Sequence, residues 1–179
     1  SAAKNNDNVG LLLFTDQVEH YVPPKKGRGH IQRILRDLYY YKPKSRHTKI
    51  SAGLEHLMAI LKKKAHIFIF SDFVDSNFDE PLRMLGRKHD TVAVVVTDPC
   101  EKELPNIGLV DMHDAETGEV VTVDTSSSAF RAQYEEHLKK ELETQEMHLK
   151  KARVDRVRIE VSENFVDPLI EYFKRRNRR

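Results

Sequence analysis

The sequence predicts a three-layer α/β domain, doubly wound around a mostly parallel sheet. Three observations carry that expectation. VGLLLF (9–14), HIFIF (66–70) and TVAVVVT (91–97) are short apolar runs rich in β-branched and aromatic residues, as in strands covered on both faces. Between them, apolar residues recur at i, i+3, i+4 and i+7, the stripe of an amphipathic helix. Strands that alternate with helices imply parallel pairing through right-handed crossovers.

In chain order, the first strand ends at Thr15-Asp16. Val18, His20 and Val22 then alternate with Glu19 and Tyr21, predicting a short edge strand that Pro23-Pro24 ends. KKGRG is a loop, and Ile31, Ile34, Leu35 and Leu38 mark the inner face of a helix closed by Lys42-Pro43. The loop KPKSRHTK follows. It leads to a helix with Leu54, Leu57, Met58 and Leu61 inward, and Thr48 falls in its first turn or just before it. The strand Ile67–Phe70 stops at Ser71-Asp72, with Asp75 close behind. Asp79-Glu80-Pro81 opens the next helix, whose Leu82 and Leu85 face inward.

The strand TVAVVVT ends at Asp98-Pro99. A hairpin spans 109–124, with arms Leu109–His113 and Val120–Asp124 joined by the turn DAETGE. Helix, strand and helix occupy 129–175. The long helix carries Phe130, Tyr134, Leu138 and Leu142 at i+4 spacing, and Val157, Ile159 and Val161 alternate in the strand. Asp167-Pro168 opens the last helix, with Leu169, Ile170 and Phe173 inward. All of this is read as one domain over 1–179.

Bulk numbers exclude several classes. With 30 basic and 28 acidic residues the formal net charge is +2, which singles out neither nucleic acid nor an anionic membrane. Cys100 is the single cysteine, so no internal disulfide forms and a reducing, cytoplasmic setting is expected. No apolar run approaches the ~20 residues of a membrane span, and the polar opening SAAKNNDN is not a signal peptide.

Three strands end in Asp: Asp16, Asp72 and Asp98. In an open α/β sheet, ligands bind just past the carboxyl ends of strands. Carboxylates and hydroxyls there suit a hard cation such as Mg²⁺. Thr48 and Asp72 are the candidate metal ligands, and Ser71 and Asp16 would stand behind them. The plain alternative is that these residues only cap helices and turns. Gly27-Arg28-Gly29 with Lys25 and Lys26 lacks the spacing of a phosphate-binding loop and reads as a solvated basic loop.

The order VGLLLFTD, TKISAGLEHL, FIFSDF, VAVVVTD resembles von Willebrand factor type A-like domains. PPKKGRGHI, RKHDTVAVVVTDP, ELPNIGLVDMHDAETGE and VDTSSSAFR further resemble the bacterial domain-of-unknown-function family fifty-eight. In the type A domains, three loops hold a Mg²⁺: the first with Asp-x-Ser-x-Ser, the second with a Thr, the third with an Asp. Thr48 matches the second and Asp72 the third. The strand carrying the first loop would precede VGLLLF, where only SAAKNNDN stands. The resemblance therefore implies a domain lacking its first strand and helix, and these residues alone are not expected to hold Mg²⁺ tightly. Asp124-Thr125-Ser126-Ser127-Ser128 fits the Asp-x-Ser-x-Ser pattern, but it follows a hairpin arm and reads better as a helix N-cap.

The function the resemblance implies is non-enzymatic protein binding, in a chaperone-like or complex-assembly role beside a MoxR-type AAA ATPase. The competing expectation is a metal-dependent hydrolase or phosphatase using Asp72 and Asp16. Where the first strand is missing, VGLLLF and HIFIF would flank a gap. A homodimer that fills it is a further expectation.

Overall fold

Val9–Phe14 (β1) and Val18–Lys25 (β2) form an antiparallel hairpin, with Leu12 opposite Tyr21 and Leu13 opposite His20. The structure is a computed structural model that describes residues 5–98, 104–113, 118–161 and 166–176. β2 does not stop at Pro23-Pro24 but runs on to Lys25. It pairs only with β1 among the described residues, so the missing N–H groups break no second ladder.

His66–Ser71 (β3), Asp90–Thr97 (β4) and Asp155–Glu160 (β7) make a parallel sheet in the order β3-β4-β7. Leu109–His113 (β5) and Val120–Asp124 (β6) form a separate antiparallel hairpin at the predicted positions. Most of its predicted turn, residues 114–117, lies outside the described residues, as do Pro99 and Cys100. Five helices complete the fold: Arg28–Tyr40 (α1), Ile50–Ile60 (α2), Asp79–Lys88 (α3), Ser128–Ala152 (α4) and Val166–Arg176 (α5). None of the described helices is long and apolar enough to cross a membrane.

Helices lie on both faces of the three-stranded sheet. On one face Ile50 and Leu54 of α2, Leu82 and Leu85 of α3, and Leu149 and Ala152 of α4 bury against Ile67, Ile69, Ala93 and Val95. On the other, Tyr172 and Leu169 of α5 pack on Val92, Val94 and Val157. β4 is thus covered on both faces, as its apolar run predicts. β3 is not, which corrects the expectation for HIFIF. Phe68 and Phe70 remain 39% and 58% exposed, because α5 reaches β3 only where the Phe173 ring meets Phe68 at 5.9 Å.

Two helices bury different residues from those the spacing predicts. In α4 the buried positions are Gln145, Leu149 and Ala152, because only its last turns reach the sheet, and Leu142 is exposed. In α5 Tyr172 turns inward while Ile170 and Phe173 stay exposed. The Tyr172 hydroxyl donates to Asp155 Oδ2 at 2.9 Å and accepts from Arg176 at 2.7 Å, so its polar tip is satisfied there.

β1 and β3 do not pair with each other. They are joined through α2: Lys49 N donates to Thr15 O at 3.1 Å, and Gly53 lies flat under Phe14. A Cβ on Gly53 would sit 2.8 Å from that ring, so only glycine permits this approach.

His89, at the junction of α3 and β4, is buried with neither ring nitrogen hydrogen-bonded among the described residues. Burial, helped by neighbouring Lys88, pushes its pKa below the ordinary histidine value. The unfolded chain takes up a proton as pH falls below about 6.5, and the buried ring resists it, so stability drops with acid. Asp90 adds to the loss at lower pH. Burial raises its carboxyl, but Arg176 and His66 outweigh that and hold it below the usual range. Thermal melts at about pH 7.5 and 5.5 should show a clear fall in Tm. His89→Leu should flatten most of that fall, and an unchanged slope would assign it elsewhere.

Candidate functional site

The loops past β1, before α2 and past β3 meet at one edge of the protein. Two carboxylates that the sequence reading did not single out as ligands tie them together. Glu19 gathers four donors: Thr15 Oγ1 at 2.9 Å, Tyr41 hydroxyl at 3.0 Å, Lys44 N at 3.2 Å and Ser45 N at 3.3 Å. Burial raises its carboxyl, yet these bonds together hold its pKa below the usual value. Glu19 thereby fixes the start of the loop that carries Thr48 to the β1–β2 hairpin.

Asp75 does the same from the other side. Its Oδ2 accepts from Ile50 N at 2.7 Å and its Oδ1 from Ser76 N at 2.6 Å. Lys49, the residue preceding α2, offers no capping side chain. Asp75 therefore supplies from a distant loop the acceptor that a first-turn N–H needs, with the charge that end of a helix favours. A helix start without Ser, Thr, Asp or Asn at its cap was the available signal that an acceptor must come from elsewhere.

These bonds bring the Thr48 loop beside the Asp72 loop. Asp72 Oδ1 accepts from Ser71 Oγ and Val74 N, each at 3.2 Å, and its backbone carbonyl accepts from Gln145 Nε2 of α4. Ser71 Oγ accepts in turn from Phe73 N at 3.0 Å. Asp72 Oδ2 carries no hydrogen bond among the described residues, and Thr48 and Asp72 are both exposed. Asp16 joins the edge beside Thr15, whose hydroxyl reaches its Oδ1 at 3.2 Å. Asp98 follows β4 at the same end of the sheet. No bond joins Thr48 to Asp72 directly among the described residues.

The loop after β3 is conformationally unusual. Phe73 and Asn77 have φ of 59° and 62°, left-handed values that cost a non-glycine residue about 1–2 kcal/mol. Phe73 holds that conformation because its buried ring packs on Phe78 at 5.6 Å.

In donor chemistry, Thr48 and Asp72 fit a hard cation; in number they do not complete its shell. Among the described residues, no group of three or more His, Cys, Asp or Glu side chains could hold a metal. Asp124, in the second Asp-x-Ser-x-Ser match, is engaged locally. Its Oδ1 accepts from Ser126 N at 2.9 Å and Ser126 Oγ at 2.6 Å, which lowers its pKa. Ser127 Oγ accepts from Phe130 N at 3.3 Å and caps α4, as predicted.

With this geometry in hand, the sequence matches the family described as Protein of unknown function DUF58 over residues 1–144. The chain belongs to that family. The DUF58 match ends within α4, so β7 and α5 lie beyond it. The chain is 29% identical over 117 residues to the uncharacterized protein Rv1480 of Mycobacterium tuberculosis, covering 64% of this chain. It spans only 37% of that relative's length. A shorter uncharacterized protein of Mycobacterium avium, MAV169, is 32% identical over 100 residues, covering 54% of this chain and 59% of the relative.

Among solved structures, the fold is similar to the conserved hypothetical protein BatB from Bacteroides thetaiotaomicron. The TM-score is 0.58 at 14% identity, over 97% of this chain and 81% of that one. It is equally similar to an aerotolerance-related membrane protein from Bacteroides fragilis, with a TM-score of 0.58 at 15% identity and the same coverage.

Proposed function

We propose that this DUF58 chain is a non-enzymatic protein-binding domain with a three-layer, von Willebrand factor type A-like architecture, open where a further strand would lie between β1 and β3. Thr48 and Asp72 would hold a Mg²⁺ at the carboxyl edge, backed by Ser71 and Asp16. Water and an acidic side chain of the bound protein would complete the shell. The partner class is a MoxR-type AAA ATPase, in a chaperone-like or complex-assembly role.

One observation supports this reading above the others. The bond from Ile50 N to Asp75 Oδ2 draws the Thr48 loop to the Asp72 loop while both side chains remain exposed. An exposed pair of oxygen donors on adjoining loops suits a surface contact better than an enclosed reaction.

The test is titration of a purified MoxR-type ATPase from the same organism, in Mg²⁺ and in EDTA. Binding should weaken at least about tenfold in EDTA and by a similar factor in Asp72→Ala, since a metal-bridged carboxylate is lost in both. Binding indifferent to both changes overturns the metal-edge reading. Metal-dependent hydrolysis of p-nitrophenyl phosphate, abolished by both Asp72→Ala and Asp16→Ala, would favour the hydrolase instead.

A further inference from the structure

β7 is the outer strand of its sheet and pairs only with β4 among the described residues. Val161 N donates to Thr97 O at 3.1 Å, so that residue's backbone faces β4. Alternation along the strand then turns the N–H and C=O groups of Arg156 and Arg158 to the opposite side, where no strand pairs with them among the described residues. Such an edge is a template for another extended chain.

The space beside the start of the strand is basic. A cavity of about 370 Å³ lies between the end of α4, the start of β7 and α5. Lys150, Arg153, Arg156, Arg175 and Arg176 line it, and Asp155 is the only carboxylate in its wall. A second cavity of about 520 Å³ continues along β7, shares Arg156 and Arg175 with the first, and is mixed in charge, with Arg158, Asp167 and Glu171 also in its wall.

Most of this charge is already placed. Arg176 binds Asp90 and the Tyr172 hydroxyl, and Asp155 is engaged by Tyr172. Arg156 and Lys150 share Glu146, at 2.5 and 3.5 Å. Arg153 and Arg175 form no ion pair among the described residues. Both guanidinium groups are exposed and open to an anion that enters the first cavity, where the charge is positive.

We propose that the free edge of β7 takes an extended acidic segment of a partner protein, added as a strand, with its carboxylates against Arg153 and Arg175. The strand edge supplies backbone pairing and the cavity supplies the choice of side chain. Neighbouring same-face residues on an added strand stand about 7 Å apart, which allows two carboxylates to enter the trough together. A small phosphate-type anion would use the charge but leave the strand edge empty. This surface lies beyond the Thr48–Asp72 edge, and Asp72→Ala should leave it intact.

Fluorescence polarisation with a labelled nonapeptide of alternating Glu and Val tests this. A Lys-for-Glu peptide and a version with alternate backbone N-methyl groups are the comparisons. Arg153→Gly keeps the backbone relaxed, because Arg153 has φ 55°, and Arg175→Gln removes an exposed charge. Each should weaken binding about threefold, and the pair about tenfold. The N-methyl peptide should bind at least about tenfold more weakly, since it cannot pair with the edge. The amides of Arg156 and Arg158 should gain hydrogen-exchange protection on binding. Equal binding of the N-methyl peptide, equal binding of the Lys peptide, or full binding by the double variant overturns the proposal. So does a single-stranded oligonucleotide that outcompetes the acidic peptide.

Discussion

Phe73→Ala should destabilise the protein by about 3–5 kcal/mol, the cost of removing a buried aromatic ring that its neighbours cannot replace. Phe73 is 1% exposed and packs on Phe78, which in turn packs on His148 of α4 at 5.5 Å. The ring is therefore a shared floor for the loop after β3, for α3 and for α4. On the order of 10 °C in Tm follows for a chain of this size. The left-handed φ of Phe73 adds a sharper expectation. At ordinary sites glycine is less stabilising than alanine, but at φ 59° alanine pays the Cβ clash and glycine does not. Phe73→Gly should thus be about 1 kcal/mol more stable than Phe73→Ala. Urea unfolding of the two variants measures the order directly. If Phe73→Ala proves the more stable, the loop does not keep this conformation in solution. Either change should also loosen Asp72, because Ser71 Oγ holds Phe73 N and Asp72 Oδ1 together.

The sequence was most legible where one local rule acted alone. TVAVVVT reads as a strand buried on both faces and is one; Asp79-Glu80-Pro81 marks a helix start, and Asp79 is the first residue of α3. Legibility failed where burial depends on what lies opposite. HIFIF has the same apolar character as TVAVVVT, yet Phe68 and Phe70 stay exposed because no described element covers that half of the sheet. Leu35 and Leu38 fail for the same reason: they continue the stripe of Ile34, but only Ile34 meets a neighbour that buries it. At the candidate site, strand ends pointed to Asp72 and Asp16. They could not reveal that Glu19 and Asp75 position the loops, because those bonds span 25 or so residues of sequence. Periodicity reports which side of an element is apolar; it does not report what that side meets.

The exposed half of β3 leads to the second large effect, on association. Phe68 and Phe70 are exposed on one face of β3, Phe173 meets Phe68, and β3 and β1 each keep an unpaired edge among the described residues. Apolar patches of this kind on a sheet edge mark interaction sites. A second copy of the chain carries the same edges and the same surface, so a two-fold dimer satisfies both at once. These side chains are about half exposed, so burying what remains of each contributes about 1 kcal/mol, and the copies in both protomers together help offset the entropy of association. Light scattering should therefore give a mass near 42 kDa, about twice the 20.8 kDa chain. Phe68→Glu combined with Phe70→Glu should shift that to the monomer. Tm should fall only modestly, by the loss of dimer contacts and of the Phe68–Phe173 contact, because Ile67 and Ile69 keep the core face of β3. The charges would also be costly to bury in an apolar interface. A wild-type chain that stays monomeric, with β1 and β3 amides slow to exchange, would mean that the two edges close on each other inside one molecule.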